Sequence, residues 1–522
     1  MYNRRFTPEK ITHLENNEIF VFGSNLAGSH GGGAARLAHN RFGAVWGQGV
    51  GLQGQCYAIP TMHGGVDAIK PYVDEFISFA KLHPEFIFLV TKIGCGIAGF
   101  RDGDIAPLFA AAIDAENVIL PESFVSIIFD ITGESILRDK IRGCLIAGAA
   151  GDALGYEVEF MSRKAILYRY GENGITKFAL DNNGKAQISD DTQMTLFTAN
   201  GLLNASRLNV QPQFAVARAY VDWYYTQIGV YKTKSKSCWL RDIDELYSRR
   251  APGNTCMSAL DAIARGWEPS NNSKGCGGVM RVAPVGLLAA GQFVFHNPQW
   301  RDGYVIKLGA ECAKITHEHP AGWLSAGLLA HIIYEIVVRS QTKRIDKMEF
   351  EHIVGTACHY MIAYFNSMQE FIYPLQAMMF KALELAKEEI SDLEAISQLG
   401  EGWVGDEALA IAIYCASRHI DSVEDAIIAS VNHDGDSDST GSICGNIMGA
   451  IYGYEHIKSS NLFCPEGHEF EDTLELSEII LALADDLSTG CIISEYDSMD
   501  TPEKRQWYER YCEMKPSGIG RK

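Results

Sequence analysis

Short apolar runs alternate with amphipathic stretches over the first quarter of the chain. This alternation is typical of buried strands separated by helices, and it predicts an α/β sheet layered with helices for residues 1–133. The four predicted strands are Glu18–Ser24, Cys56–Thr61, Phe86–Ile93 and Phe124–Ile131. The three predicted helices between them are Gly33–His39, Asp67–Leu82 and Asp104–Asp114.

The pattern changes after Gly133, where apolar residues begin to recur at helical spacing. Ala-, Leu- and Ile-rich stretches separated by Gly, Pro and Asn predict a larger, all-α domain over residues 138–490. Clear helical patterns occur at Gln213–Tyr225, Gly322–Arg339, Tyr373–Lys387, Asp406–Ser417 and Leu474–Asp486. A C-terminal tail follows over residues 491–522, and its polar stretch Ser498–Lys522 predicts a short helix and an extended end. The predicted fold is therefore multidomain.

Composition and charge narrow the function classes. The 522-residue chain carries a formal net charge of −20, which repels phosphate backbones and disfavours stable nucleic-acid binding. The 13 cysteines are scattered without zinc spacing, as reduced core cysteines are. The N-terminus has no apolar signal-peptide segment. The apolar stretch Leu324–Val338 contains His331 and Glu335, which favours a buried helix over a membrane span. We therefore expect a cytoplasmic protein with no membrane partner.

Small residues recur every four positions in two stretches. The first row is Gly143, Ala147, Gly151 and Gly155, and the second is Gly441, Gly445, Gly449 and Gly453. This spacing places each row on one helix face. Each internal glycine costs about 1 kcal/mol of helix propensity relative to alanine, so the rows predict that another backbone packs closely there. A tightly packed core explains the rows by itself. A functional interpretation is that the two helices bring together the acidic segments beside them, Gly151–Phe160 and Gly435–Ser439.

Two acidic segments far apart in the chain carry the candidate chemistry. "HDGDSDSTGS" (His433–Ser442) does not fit the EF-hand pattern, because Ser439 and Gly445 stand where a loop from Asp434 needs glycine and glutamate. "ISDDTQM" (Ile188–Met194) holds two adjacent carboxylates flanked by hydroxyls. Oxygen ligands that suit Mg²⁺, Mn²⁺ or Ca²⁺ are Ser189, Asp190, Asp191, Asp436, Asp438 and Ser439. Two independent helix N-caps are the alternative, because Asp and Ser are preferred at caps.

Six motifs occur in the order seen in the ADP-ribosylglycohydrolases, and the chain from Arg138 to Leu487 resembles that family, in particular its dinitrogenase-reductase-activating branch. The motifs are "IRGCLIAGAAGDALGYEVEF", "SDDTQM", "GCGGVMRVAPVG", "THEHPAG", "GWVGDEALAIAIYC" and "HDGDSDSTGSICGNIMGAIYG". The resemblance implies an all-helical fold with two divalent cations, Mg²⁺ or Mn²⁺, that removes ADP-ribose from modified molecules. The six oxygen ligands match the family's metal ligands, with serine in place of the more common threonine at Ser189 and Ser439. Asp434 falls outside the matched motif and is assigned no metal.

The same resemblance assigns residues around the metals. Asp191 and Glu159 are the catalytic candidates, because a carboxylate can take a proton from water or protonate the leaving group at the distal ribose. The residues matched to the ADP-ribose site are Gly277, Gly278, Val279 and Met280 in one loop, His317 near the diphosphate or distal ribose, and Trp403 and Val404 near the adenosine end. A surface glutamate at a helix end and a structural histidine at a helix start are the alternatives for Glu159 and His317.

Two glycine-rich loops follow predicted strands of the N-terminal domain. They lie in Val21–His39 and Gly94–Phe100, each between a strand and a helix, where free backbone N–H groups form a diphosphate clamp. A plain turn is the alternative for either loop alone. The pair resembles a divergent macrodomain branch over residues 18–124, which implies an ADP-ribose-binding fold, although the acidic residue that reads adenine is not evident. The matched residues are Asn25, Gly31, Gly32, Gly33, Gly94, Cys95, Gly96, Ile97, Ala98, Gly99 and Phe100, with Phe100 as the aromatic over the distal ribose.

These observations predict a metal-dependent hydrolase that cleaves the glycosidic bond at the distal ribose of ADP-ribosylated macromolecules. Protein is the expected carrier and arginine the first linkage to test, with ADP-ribose itself bound by the N-terminal module. Two alternatives remain open. One is an immunity or binding protein that recognises ADP-ribosylated partners or blocks an ADP-ribosylating toxin. The other is a bifunctional protein with two hydrolase domains for different linkages.

Overall fold

The computed structural model describes residues 6–8, 10–113, 115, 117–208, 210–231, 236–291, 298–489, 505, 510 and 511. Two compact units make up the chain, Met1–Ser135 and Ile136–Lys522. The helix predicted within Ser498–Lys522 lies outside the described residues, apart from three positions.

A five-stranded mixed sheet forms the centre of the first unit. Its strands are β1 (Glu18–Ser24), β2 (Gly51–Gln53), β3 (Cys56–Pro60), β4 (Ile87–Val90) and β5 (Val118–Ile119). They are arranged in the order β2-β3-β1-β4-β5. Strand β1 runs parallel to both β3 and β4, β5 runs parallel to β4, and β2 runs antiparallel to β3. The carboxyl ends of β1 and β4 therefore lie at the same edge of the sheet, and the loops that follow them are neighbours.

Both faces of this sheet are buried, which explains why its strands are nearly continuous apolar runs. Val21 of β1 faces one hydrophobic cluster and Phe22 faces the other, because successive side chains of a strand point to opposite faces. Helix α1 (Gly33–Arg41) contributes to the cluster of Phe22, and helix α2 (Val66–Leu82) contributes to the cluster of Val21. The predicted sheet layered with helices is present.

One predicted strand of this unit is wrong. Residues Phe124–Ile131 belong to helix α4 (Glu122–Tyr156), and the strand at that edge is the two-residue β5 just before it. Periodicity alone cannot separate a short buried strand from a buried helix segment. Phe124 and Ile128, four residues apart, lie in the same hydrophobic cluster, as a helix face requires.

Two smaller differences between the predicted and observed elements concern short helices and strands. The helix predicted at Asp104–Asp114 is instead the four-residue α3 (Asp102–Ile105) followed by a 3₁₀ helix, Ala106–Ala112. The antiparallel strand β2 was not predicted, because three residues are too few for an alternating pattern to stand out.

The second unit is helical, and its described residues form isolated β-bridges but no strand. Helix α4 enters it at Ile136. The other helices are α5 (Arg163–Tyr170), α6 (Asp190–Leu208), α7 (Pro212–Gln227), α8 (Asn254–Ala264), α9 (Ala283–Gly291), α10 (Pro298–Lys314), α11 (Pro320–Ser340), α12 (Lys347–Tyr364), α13 (Gln369–Leu385), α14 (Asp392–Ser397), α15 (Gly405–Arg418), α16 (Val423–Val431), α17 (Ser437–Tyr452), α18 (Tyr454–Ser460), α19 (Phe470–Thr473) and α20 (Ser477–Thr489). The helical prediction for this part of the chain is confirmed.

Helix α11 is the central helix of this unit and packs against α9, α10, α12, α15 and α17. It is long and apolar enough to cross a membrane, but 83% of its most apolar window is buried inside the unit. That burial is typical of a core helix, as the sequence predicted for this stretch.

The two rows of small residues pack against each other, as predicted, and we call this contact between α4 and α17 the glycine seam. A Cβ atom at Gly151 would lie 2.1 Å from the carbonyl oxygen of Gly441. At the end of α4, a Cβ atom at Gly155 would lie 2.2 Å from the Ser437 carbonyl oxygen and 2.7 Å from the Asp438 Cα. Because no side chain fits these distances, the glycines allow the end of α4 to meet the beginning of α17.

Helix α11 also buries an imidazole that has no hydrogen-bond partner. Both ring nitrogens of His331 are buried and unpaired among the described residues. Its ring contacts Tyr334 and Tyr360, and Glu335 Oε1 lies 3.9 Å from its Nε2. Burial and, secondarily, Arg339 lower the pKa of His331 to about 3. The folded protein therefore holds this ring neutral.

We expect His331→Phe to stabilise the second unit more at pH 5 than at pH 8. In the unfolded chain the histidine takes up a proton below its usual pKa of 6.5, whereas the folded chain stays neutral down to about 3. Stability is therefore lost as the pH falls through this window, by about 2 kcal/mol at pH 5. Thermal midpoints of both proteins at the two pH values check this, and equal shifts at pH 5 and pH 8 would contradict it.

Candidate functional site

A cavity of 700 Å³ opens in the second unit where α6, α8 and α17 begin. Five carboxylates from three distant segments line it: Glu159, Asp190, Asp191, Asp436 and Asp438. The structure thus brings together the two acidic segments and Glu159, all of which the sequence singled out.

The first carboxylate pair is positioned by a buried aspartate on α4. Asp190 and Asp191 begin α6 directly after Ser189. Asp152, which is fully buried, accepts the backbone N–H of Ser189 at 3.0 and 3.1 Å and that of Thr192 at 3.0 Å. Asp152 therefore caps the start of α6 and fixes the two carboxylates that follow.

The second pair lies at the beginning of α17. Asp436 is the N-cap residue, and its Oδ1 accepts the Ser439 N–H at 3.3 Å, while Asp438 Oδ1 accepts the same N–H at 2.9 Å. The other oxygen of Asp436 accepts a hydrogen bond from the Cys276 thiol at 2.8 Å. Both acidic motifs therefore do begin helices, as the capping interpretation expected. Capping nevertheless leaves Asp191 Oδ2, in the first motif, without a hydrogen-bond partner among the described residues.

Glu159 joins this second pair. Carboxylate oxygens of Glu159, Asp436 and Asp438 lie within 4.8 Å of one another, and all three residues are buried. Carboxylates this close repel one another and together suit a cation. The resemblance assigned Glu159 a proton-transfer role, and its position would also allow it to share a cation with the two aspartates.

Burial, reinforced by neighbouring carboxylates, keeps this cluster from ionising readily. It raises the pKa of Asp190, Asp191 and Asp438 well above the usual range. Burial and then the charges of nearby aspartates raise the pKa of Glu159 to about 9, and burial raises the pKa of Asp152 to about 6. A cluster of this kind needs bound positive charge to be fully ionised at neutral pH.

The donor set fits a hard divalent cation. Oδ2 of Asp191 and Oε2 of Glu159 are buried and have no hydrogen-bond partner among the described residues. Leaving a buried polar atom unpaired costs about 1–3 kcal/mol or more, and bound cations would satisfy these oxygens. Mg²⁺ and Mn²⁺ suit such carboxylate and hydroxyl oxygens better than zinc does.

Four residues matched to the ADP-ribose site line the same cavity: Gly277, Met280, His317 and Trp403. The ring of Trp403 stacks on that of Phe160, with centroids 6.2 Å apart and planes 21° apart. Phe160 is 74% exposed, so the stacked pair lies at the mouth of the cavity. The Cys276 N–H donates to the Trp403 carbonyl at 3.2 Å, which ties the glycine loop to this wall.

Four other predicted residues are not among those that line the cavity in the described structure: Ser189, Gly278, Val279 and Val404. The Val279 side chain is buried in the hydrophobic core, and Val404 forms a backbone bridge with Gly275. The Ser189 hydroxyl accepts the Asp191 N–H at 3.1 Å. Val279 and Val404 therefore support the backbone that carries the site.

Sequence reasoning missed one segment of the cavity wall, "RRAPGNTC" (Arg249–Cys256). The Arg250 carbonyl accepts the Asp190 N–H at 3.1 Å, and the Gly253 N–H donates to Asp190 Oδ2 at 3.3 Å. Ala251 has a φ of 51°, which is strained for a residue with a side chain. The Pro-Gly pair just before a helical pattern was the available signal for a turn here.

In the first unit, the two glycine-rich loops line a shared cavity of 190 Å³. The predicted residues that line it are Asn25, Gly32, Gly33, Gly94, Gly96, Ile97 and Ala98, whereas Gly31, Cys95, Gly99 and Phe100 are not among its lining residues. The Asn25 amide holds its own loop, because it donates to the Ser29 carbonyl at 2.9 Å and accepts the Ser29 N–H at 3.0 Å. Phe100 packs against the hydrophobic core beside Gly94.

A second cavity of the first unit, of 1190 Å³, shares Gly33, Ala34, Thr91 and Lys92 with the smaller one. Its other lining residues include Phe6, Leu37 and Glu122. The smaller cavity is lined by glycines of both loops, and the larger cavity is lined by both polar and apolar side chains.

Comparison with known proteins bears on the second unit. A family model described as ADP-ribosylglycohydrolase matches residues 133–492. "ADP-ribosylhydrolase ARH3" of Mus musculus is 25% identical over 358 residues, 65% of this chain and 90% of the relative. "ADP-ribosyl-[dinitrogen reductase] glycohydrolase" of Rhodospirillum rubrum is 24% identical over 346 residues, 63% and 90% of the two chains. "ADP-ribosylarginine hydrolase Tri1" of Serratia proteamaculans is 24% identical over 331 residues, 62% and 74% of the two chains.

Proposed function

The chain belongs to the ADP-ribosylglycohydrolase family and is a hydrolase, and we propose that its helical unit removes ADP-ribose from modified macromolecules with the help of two divalent cations, Mg²⁺ or Mn²⁺. The observation that carries the proposal is the cavity on which five buried carboxylates from three segments converge. Two of them present unpaired oxygens, which is the arrangement that a bound cation would satisfy.

The residues proposed to hold the cations are Ser189, Asp190, Asp191, Asp436, Asp438 and Ser439. Glu159 is close enough to Asp436 and Asp438 to share one of them. When bound, the cations supply Lewis-acid stabilisation of the distal ribose hydroxyls and of an attacking water. Asp152 supports these residues indirectly, because its carboxylate caps the start of α6.

Glu159 and Asp191 are the proposed proton-transfer groups. Each has a buried, unpaired carboxylate oxygen and lines the cavity. Cleavage of the bond at the distal ribose builds positive charge at its anomeric carbon. A nearby carboxylate can take the proton of the attacking water or protonate the leaving group. The stacked rings of Phe160 and Trp403 at the mouth offer an apolar surface for the rest of the substrate.

Arginine-linked ADP-ribose on protein is the proposed substrate. The name of the Serratia proteamaculans relative supports this linkage, and the name of the Rhodospirillum rubrum relative supports a protein as the carrier. For the first unit we propose ADP-ribose binding, supported by the two glycine-rich loops that line one cavity at the carboxyl ends of parallel strands.

A cleavage panel tests the proposal. The full-length protein is incubated with arginine-, serine-, acidic- and nucleobase-linked ADP-ribose in EDTA, in Mg²⁺ and in Mn²⁺, and released ADP-ribose is measured. We expect release from the arginine-linked substrate with either cation and a loss of about 10²-fold or more in EDTA. Cleavage that is unaffected by EDTA would refute the cation role, and cleavage of another linkage alone would refute the arginine assignment. Titration with ADP-ribose should show two binding sites per chain. A single site that competes with the substrate for hydrolysis would contradict the role given to the first unit.

A further inference from the structure

Arg281 is a fully buried guanidinium whose hydrogen bonds among the described residues go to two sulfurs and a hydroxyl, not to a carboxylate. Its Nη1 donates to the sulfurs of Met194 at 3.2 Å and Cys256 at 3.3 Å, and the group lies 4.3 Å from the centre of the Tyr220 ring. Its strong hydrogen bond is from Nη2 to the Thr316 hydroxyl, at 2.6 Å. Burying a charge is costly unless it is paired, so this arrangement calls for an explanation beyond packing.

The hydrogen-bond chemistry of this group assigns the proton on His317. Arg281 can only donate, so the Thr316 oxygen must accept from it. The hydroxyl proton of Thr316 then needs an acceptor, and His317 Nδ1 lies 2.9 Å away. The Cys256 sulfur is also close to this hydroxyl but is a weak acceptor beside an imidazole nitrogen. His317 Nδ1 is therefore the unprotonated nitrogen, and the ring proton is on Nε2.

The Nε2 side of His317 faces the cavity of the carboxylates. His317 is 2% exposed, lines that cavity and lies against the glycine loop. A Cβ atom at either Gly275 or Gly277 would lie 3.3 Å from Nε2. The absence of side chains at these two positions keeps the nitrogen open to a ligand. Burial and, secondarily, Arg281 lower the pKa of His317 to about 3, so the ring is neutral at physiological pH.

We infer that Arg281 and Thr316 are positioning residues that fix His317 as the Nε2–H tautomer, a hydrogen-bond donor to an acceptor oxygen of bound ADP-ribose. The identity of the ligand rests on the proposed function. The hydrogen-bond relay from Arg281 through Thr316 to His317 does not. A phosphate oxygen offers acceptors only, so a group locked as a donor matches the diphosphate without adding a charge to the cavity. The buried guanidinium thereby has a role, because it always donates to the Thr316 oxygen and so directs the hydroxyl proton away from itself, toward His317 Nδ1.

The relay is tested in the free protein by ¹⁵N spectra of selectively labelled histidines. The His317 signals are identified by their loss in His317→Gln. We expect Nδ1 to be unprotonated and Nε2 protonated, unchanged between pH 5 and pH 8. Thr316→Val, which removes only the hydroxyl, should release this state and shift both signals, while Thr316→Ser should restore it. A proton on Nδ1 in the wild type, or a Thr316→Val spectrum equal to the wild type, would overturn the inference.

The donor role is tested by the affinity of the second unit's site for ADP-ribose, measured as inhibition of substrate cleavage by free ADP-ribose. Glutamine places an amide N–H near the position of Nε2–H, whereas leucine fills the space without a donor. We expect His317→Leu to weaken ADP-ribose binding by about 10–100-fold, the effect of a lost hydrogen bond to a charged acceptor, and His317→Gln to recover most of it. Equal losses in both variants would overturn the donor role. Failure of the wild type to bind ADP-ribose would contradict the proposed function, and the spectra would still decide on the relay.

Discussion

Replacing Asp436 by asparagine should reduce ADP-ribose release by about 10³-fold or more. Asparagine keeps the shape of the side chain and an oxygen that can cap α17 through the Ser439 N–H. It removes the negative charge that Asp436 places within 4.8 Å of the Glu159 and Asp438 carboxylates. The loss therefore reports on cation binding, because the helix cap that Asp436 provides is retained. Initial rates of release from arginine-linked substrate at saturating Mg²⁺ measure it.

Thermal midpoints separate the loss of a cation from the loss of the fold. Without divalent cations, Asp436→Asn should be at least as stable as the wild type, because one of the mutually repelling carboxylates is gone. With Mg²⁺ at a hundredfold excess over its Kd, the wild type should gain about 2.7 kcal/mol for each cation bound, and the variant should gain much less. The order of the two midpoints should therefore reverse on adding metal.

Asp434→Asn is the matched control, two residues away. Asp434 is exposed and accepts the Arg163 N–H at 2.8 Å, a role that an asparagine oxygen can also fill. Activity and the response to Mg²⁺ should stay at the wild-type level. A variant at Asp436 that kept its response to Mg²⁺, or an equal loss at Asp434, would show that Asp436 is not a ligand.

Features that depend on the local pattern of residues could be predicted from the sequence. Strand β1 was predicted with its observed bounds, because its short run of Ile, Phe and Val is rich in residues that favour strands and is followed by a glycine-rich loop. The rows of small residues predicted the glycine seam, because repeated glycine in a helix is costly unless another backbone packs there. The seam in turn explains why two acidic segments far apart in sequence share one cavity.

Features that depend on contacts between distant residues could not be predicted. The run Phe124–Ile131 fits a strand or a helix equally well until its packing is known. Asp152 is one aspartate in an acidic segment, and only the structure shows that its carboxylate caps α6. The proton on His317 depends on Thr316 and Arg281 together, and the latter lies 36 positions away.

Single Gly→Ala substitutions along the glycine seam should destabilise the second unit strongly. A Cβ atom at Gly143 would lie 2.5 Å from the Gly449 carbonyl oxygen, and one at Gly155 would lie 2.2 Å from the Ser437 carbonyl oxygen. Overpacking of this kind costs about 1–3 kcal/mol or more, which exceeds the gain of about 1 kcal/mol in helix propensity. Gly355→Ala in α12 is the control, because a Cβ atom there would meet no atom within 4 Å. That variant should be unchanged or more stable by up to about 1 kcal/mol.

The position along the seam should decide whether function is lost with stability. Gly155 lies at the metal end, where its Cβ atom would also come within 2.7 Å of the Asp438 Cα and push that residue away. Gly143 lies three helical turns earlier, about 18 Å along α4. Both variants should unfold at lower temperature than the wild type, but only Gly155→Ala should also lose the response to Mg²⁺ and the release of ADP-ribose at temperatures where it is folded. Equal functional losses at Gly143 and Gly155 would mean that the seam transmits strain along its whole length, and a normal response to Mg²⁺ in Gly155→Ala would mean that the position of Asp438 does not depend on the seam.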